Sequence, residues 1–287
     1  MSYLWCRFLV LSLVILLAPS GWANPVQVAI PTSDTKDLTT FIADRSLLDI
    51  DNFHQTRRDI ALQVLQRQAL LLGGYTKPLE SREVINNRRI LTLVVQGKVA
   101  ISGISFWLSG LENYREQVWV TDEIIGDGSF VVGMYTTESR LKSFQVNEDL
   151  HALVPISNRS WEKDWQALLQ FHRREPIDTF NWESVVRMLV AGRADYTLAP
   201  FQQTEGMVLN AYGQTLHPIP RVKFLIPGSQ HWVVSKIHPE GAAIYRALQL
   251  GLAQLKAQGR LRTALTEAGF YNESVIDWQT VNERFIK

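Results

Sequence analysis

One pattern occurs twice in this chain, once in each half. Residues 90–96 form an apolar run that leads into Gly97-Lys98-Val99-Ala100-Ile101, and residues 185–191 form another that leads into Gly192-Arg193-Ala194-Asp195-Tyr196. Each reads as a helix, a glycine, a basic residue and a strand. A helix commonly ends on a residue with positive φ, which glycine adopts without a Cβ clash. A cation at that end meets the negative pole of the helix dipole. Two such units, one per half, imply two lobes of similar α/β construction with a cleft between them.

The remaining periodicity agrees with an α/β chain. Strands are expected over 26–30, 75–79, 99–104, 128–135, 151–156, 195–199, 222–226 and 231–235. Helices are expected over 59–72, from Ser81 as N-cap to residue 96, over 161–172, over 182–191 with Asn181 as N-cap, over 239–258 and over 260–268. Residues 32–51 are polar and irregular and read as a loop or a short helix, and residues 138–150 carry a weak amphipathic helix.

The first 23 residues read as a secretory signal peptide. Arg7 is the only charged side chain of a short leader, an apolar run follows over 8–18, and Gly21-Trp22-Ala23 supplies small residues at −3 and −1, so cleavage is expected after Ala23. The apolar run is shorter than the roughly 20 residues that span a bilayer. The single cysteine, Cys6, precedes most of that run, whereas a lipid-anchor cysteine follows it. The mature chain therefore has no disulfide and no thiol chemistry, and its compartment is expected to be the periplasm. Basic and acidic residues number 29 and 28, and no basic stripe is visible, which argues against a nucleic-acid partner.

Several segments, in order, resemble the periplasmic solute-binding proteins of family 3, the polar amino-acid binders of ABC importers. Residues 97–105 are similar to that family's GKVDAIIAGLS segment and residues 115–122 to its R…V-x-F-S-x-P stretch. Residues 130–135 resemble the strand that crosses into the second lobe, 191–196 the second-lobe signature, and 255–261 the L…G-x-L helix near the end. The resemblance implies a type II periplasmic binding-protein fold, each lobe a sheet flanked by helices, with two crossing strands over 128–135 and 223–234. It places residues 24–134 and 229–287 in lobe one and 135–228 in lobe two.

The departures bear on the ligand. Where the family holds the ligand carboxylate with an arginine, this chain has Tyr114, with Arg115 one place later. Arg115 is then either aimed at the cleft or left on the surface. The family's aspartate for the ligand ammonium falls on Pro200, followed by Phe201, which argues against an α-amino acid. The family's G-T-T turn at a helix N-terminus is replaced by Ser157-Asn158-Arg159-Ser160. That loop offers backbone N–H groups, two hydroxyls, an amide and a positive charge to an anion; alternatively Ser160 only caps the helix. Phe106 and Trp107 follow a strand end, where open α/β lobes place ligand contacts, and supply an apolar wall or hinge packing.

Three functions remain open. The first is a monomeric binding protein that closes its lobes on a small polar or anionic solute for an inner-membrane permease, with no metal and no cofactor. The second is a ligand-binding sensory protein acting on a membrane receptor. The third is an enzyme on the same fold. The six histidines (54, 151, 172, 217, 231 and 238) show no H-E-x-x-H spacing, no G-x-S-x-G elbow occurs, and Glu123 and Asp127 merely flank a hinge.

Overall fold

The structure, a computed structural model, describes residues 24–54, 56–144 and 149–285. The expected signal peptide lies outside the described residues. The first sheet has five strands in the order Leu79–Val84, Val26–Pro31, Ile101–Ser102, Val233–Ser235 and Val118–Val120. The first three run parallel, and Val233–Ser235 is antiparallel to both of its neighbours. Val28, Ala29 and Ile30 are fully buried in succession, as expected of a parallel strand covered on both faces. Helices Arg58–Leu72, Gly241–Ala257 and Arg260–Glu267 contribute Leu65, Leu248 and Leu265 to one core against this sheet. Helix Asn87–Val95 contributes Ile90, Leu93 and Val94 to a second.

The second sheet is built on Val131–Thr137, which pairs antiparallel with Thr197–Pro200, Gln214–Pro218 and Val222–Leu225. Beside Thr197–Pro200 lie Ile156–Ser157 and Ile177–Asp178, linked through a bridge from Pro155 to Tyr196. Helix Glu162–Phe171 covers this sheet with Leu168 and Phe171, and helix Trp182–Val190 with Val185, Val186 and Leu189.

The repeated pattern folds the same way twice. Asn86 and Asn181 are the N-caps, each side chain accepting from the backbone N–H three residues on, of Arg89 and of Ser184. Gly97 and Gly192 have φ of 68° and 65°. The Lys98 N–H donates to the Leu93 carbonyl (2.9 Å), and the Arg193 N–H donates to that of Met188 (3.0 Å). Both ends satisfy their last carbonyls by the same left-handed cap.

Several expected elements differ. Ser81 caps no helix: Leu79–Val84 is an edge strand in register with Val26–Pro31, and the helix begins only after Asn86. The first part of the strand expected over 151–156 is a 3-10 turn at Leu150–Ala152, with Asp149 accepting from the His151 N–H, and pairing starts at the Pro155 bridge, just before the strand Ile156–Ser157. The hairpin Leu209–Ala211 to Gln214–Pro218 turns on Tyr212 and Gly213, both with positive φ, and was not among the expected strands. The terminal strand Gln279–Thr280 pairs in parallel with Val222–Leu225, so this part of 229–287 joins the second sheet, whereas the expectation put that segment wholly in the first lobe.

Candidate functional site

The lobes meet where two crossing segments run side by side. The Ile226 N–H donates to the Phe130 carbonyl (2.9 Å), tying the outgoing segment to the returning one. Next to them the short strand Phe106–Trp107 pairs with Gln230–His231. The Trp107 ring lies 5.9 Å from that of Phe130. Lys163, in the first turn of the second-lobe helix Glu162–Phe171, places its ammonium 6.0 Å from the centre of the Trp107 ring. The N-terminus of that helix therefore stands at the lobe boundary. Phe106 and Trp107 are half-buried, Phe106 against the first-lobe core and Trp107 against the second.

The loop before this helix holds the other expected residues. Ser157 is buried in its strand. Asn158 donates to the Thr179 carbonyl (2.7 Å), and its side-chain oxygen accepts from both the backbone N–H and the hydroxyl of Ser160. Ser160 does not cap the helix: the N-cap is Trp161, with no side-chain hydrogen bond. The first-turn N–H groups thus have no side-chain acceptor, the arrangement that favours an anion. Arg159 points its charge elsewhere. It pairs with Glu175, lies 3.2 Å from Asp178 and stacks 5.0 Å over Trp165, all within its own lobe.

Phe201 is 1 % exposed and packs on Trp278 and Tyr135, so its ring offers no open wall. Its carbonyl accepts from Arg58 Nη2 (2.9 Å), the first residue of the first-lobe helix Arg58–Leu72. The same guanidinium lies 5.5 Å from the Phe270 ring centre. Burial lowers its pKa to about 10. The adjacent Asp59 side chain is 58 % exposed, yet burial first and the Asp34 charge second push its carboxyl upward. Arg115 is exposed at the end of the 3-10 segment Leu108–Tyr114, and its carbonyl accepts from Lys236 Nζ (2.6 Å).

The structure thus brings Trp107, Phe106 and the 157–160 loop to one boundary and leaves Arg115 exposed within the first lobe. Arg58 and Asp59 were not among the expected site residues, and nothing in their local pattern distinguishes them from solvated charges. Ile85 and Phe180 were missed as well. They are 92 % and 95 % exposed, one residue before the N-caps Asn86 and Asn181, each just beyond a strand end. Here a signal existed: an exposed apolar residue before a capping Asn, repeated with the same spacing to the following glycine. Among the described residues, no group of three or more His, Cys, Asp or Glu side chains is placed to hold a metal ion, and no helix is long and apolar enough to cross a membrane.

No protein-family model matches the sequence, and comparison with curated proteins finds no match. Solved structures do match. The probable amino-acid ABC transporter extracellular-binding protein YtmK of Bacillus subtilis is similar with a TM-score of 0.58 at 14 % identity, over 85 % of this chain and 97 % of that one. The periplasmic VFT2 domain of Bordetella pertussis BvgS matches at 0.50 and 12 % identity, over 84 % and 92 %. The L-cystine solute receptor of Neisseria gonorrhoeae, in its unliganded open conformation, matches at 0.50 and 11 %, over 89 % and 95 %. Identities this low establish the architecture alone: the chain has the two-lobed type II periplasmic binding-protein fold.

Proposed function

We propose that this chain is an exported binding protein, and not an enzyme, that captures a small polar or anionic solute between its lobes and delivers it to an ABC-type importer. The observation that carries this reading is the uncapped N-terminus of helix Glu162–Phe171, set at the lobe boundary beside Asn158, Ser160 and the Trp107 ring. Backbone donors and an aromatic wall at a boundary between two hinged α/β lobes suit a small ligand that carries an acidic group. The matched structures named as a binding protein and as a solute receptor support it. Export rests on the leader read from residues 1–23, and with it the periplasm as destination.

In this reading the solute's acidic group is received by the N–H groups of the helix's first turn, while Phe106 and Trp107 form a flat wall. The two lobes close over the solute by a hinge motion. Arg159, already held by two carboxylates, and the buried Phe201 shape the walls without touching it. A thermal-shift screen of the chain from Asn24 onward, against amino acids, organic acids, sugars and peptidoglycan fragments, tests the reading. A ligand at 100 times its dissociation constant adds about 2.7 kcal/mol of stability. A clear rise with one class is expected, and no rise with any class overturns the proposal.

A further inference from the structure

We propose that Arg58 receives a carboxylate of the bound solute, as the cation that replaces the arginine missing at Tyr114; this rests on the binding-protein reading above. The contrast with its neighbour carries the argument. Arg57 is quenched three times over, 2.9 Å from Asp34, 2.8 Å from Asp37 and 3.5 Å from Asp59. Arg58 has no carboxylate oxygen within 4.0 Å among the described residues. Its one hydrogen bond goes to a neutral acceptor, the Phe201 carbonyl, and it crosses from one lobe to the other. Asp59, next in sequence, lies 3.5 Å from Arg57 and acts on Arg58 only as a more distant charge, outside hydrogen-bond reach.

A guanidinium has five N–H donors in a planar fork. Four of them on Arg58 face no protein acceptor, while the Phe270 ring and the Phe201 segment screen the group from water. Removing a charge from water without a partner costs several kcal/mol. A chain that keeps such a charge at the boundary of two hinged lobes gains it back when a ligand brings the counter-charge. A carboxylate fits that fork with two parallel charge-assisted bonds. Arg58 is also the first residue of a long helix whose N-cap, Arg57, makes no side-chain cap bond, so the positive helix pole points the same way. Arg115 offers no such case: it is exposed, and only its backbone carbonyl is engaged by the neighbouring Lys236.

The test compares wild type, Arg58→Gln and Arg115→Gln by calorimetric titration. The probes are acetate, succinate and citrate, each set beside its uncharged amide, and L-glutamate and L-glutamine, each set beside the amide that lacks its carboxylates, with glucose and putrescine as charge controls. Wild type is expected to bind one of the carboxylates and not its amide. Arg58→Gln weakens that binding by at least about 10-fold, and Arg115→Gln leaves it unchanged. Arg58→Gln without ligand melts no lower than wild type, since an unpaired charge is removed; a purely structural role predicts a lower melting point. Should Arg58→Gln not fold, Arg58→Lys serves, because it keeps the charge, loses the fork and is expected to weaken binding by several-fold. Undiminished carboxylate binding in either Arg58 variant, or binding of an amide, glucose or putrescine alone, overturns this inference and leaves the binding-protein reading standing. If no probe of any class binds the wild type, both fall.

Discussion

Each lobe sets a cation that reaches across the boundary near one that stays tied within its own lobe. In the first, Arg57 is tied down by Asp34, Asp37 and Asp59, and Arg58 reaches across to Phe201. In the second, Arg159 is tied down by Glu175 and Asp178, and Lys163 reaches across to Trp107. The difference lies in what surrounds the tied pair. Asp34 is 2 % exposed and also accepts from Gln63 (2.9 Å), so the first-lobe pair belongs to a buried network. Glu175 and Asp178 are about half-exposed, so the second-lobe pair sits in water. The same charge arrangement therefore contributes to the core in one lobe and only to the surface in the other.

The largest effect should come from the buried partner. Asp34→Ala leaves the buried Gln63 amide without its acceptor and Arg57 with only Asp37, Asp59 and the Ser33 carbonyl, and is expected to cost about 3 kcal/mol in urea unfolding, at the low end for a broken buried pair because Arg57 is itself half-exposed and keeps other partners. A loss below about 1 kcal/mol would put this network on the same footing as the second-lobe pair.

Acid sharpens the comparison next, because the second lobe also holds two ionisable groups whose titration is governed first by burial, against the weaker pull of Asp149 and Asp195 on one of them. Burial lowers the pKa of His172 from 6.5 to about 4, and burial raises that of Asp164 from 3.8 to about 7. Below pH 6.5 the unfolded chain takes up the histidine proton first, so His172 removes stability as pH falls toward 4. Asp164 does the opposite: the folded chain takes up its proton first, so stability rises as pH falls through 7. In Asp164→Asn only the histidine contribution survives. That variant should lose about 2 kcal/mol relative to wild type between pH 6.5 and 5. Parallel pH profiles for the two proteins would show that Asp164 does not titrate as its surroundings dictate.

The smallest effect belongs to the exposed pair. Arg159→Ala should cost about 0.5 kcal/mol, as exposed ion pairs do, and should leave solute affinity unchanged. Lost affinity with unchanged stability would return Arg159 to the set of ligand contacts.

Local chemistry was legible in the sequence wherever it was self-contained. Asn181 capping its helix, Gly97 and Gly192 closing theirs, and Gly269 ending the last long helix follow from two or three neighbouring residues. Leu79–Val84 was not legible, because Glu80, Ser81, Arg82 and Glu83 become a strand only through pairing with Val26–Pro31, far away in the chain. The site divides along the same line. Phe106, Trp107 and the 157–160 loop could be found from strand ends. Which arginine is neutralised could not, because Arg58 and Arg159 differ only in neighbours drawn from distant parts of the fold. Arg115, chosen from its place in the resemblance, is exposed at the end of the 3-10 run Leu108–Tyr114, whose path the sequence did not foretell.

The strand Gln279–Thr280 makes the number of passages between the lobes odd. The chain enters the second sheet at Val131–Thr137, returns for Val233–Ser235 and enters it again at the end, where Asn282 also bonds Leu225 in both directions. The first strand, Val26–Pro31, and the last therefore move with different bodies. Fluorophores carried near Asn24 and near Glu283 would separate or approach as the jaws work. With Cys6 the sole native thiol, maleimide labelling at two introduced cysteines reads that motion without competing sites in the chain from Asn24 onward.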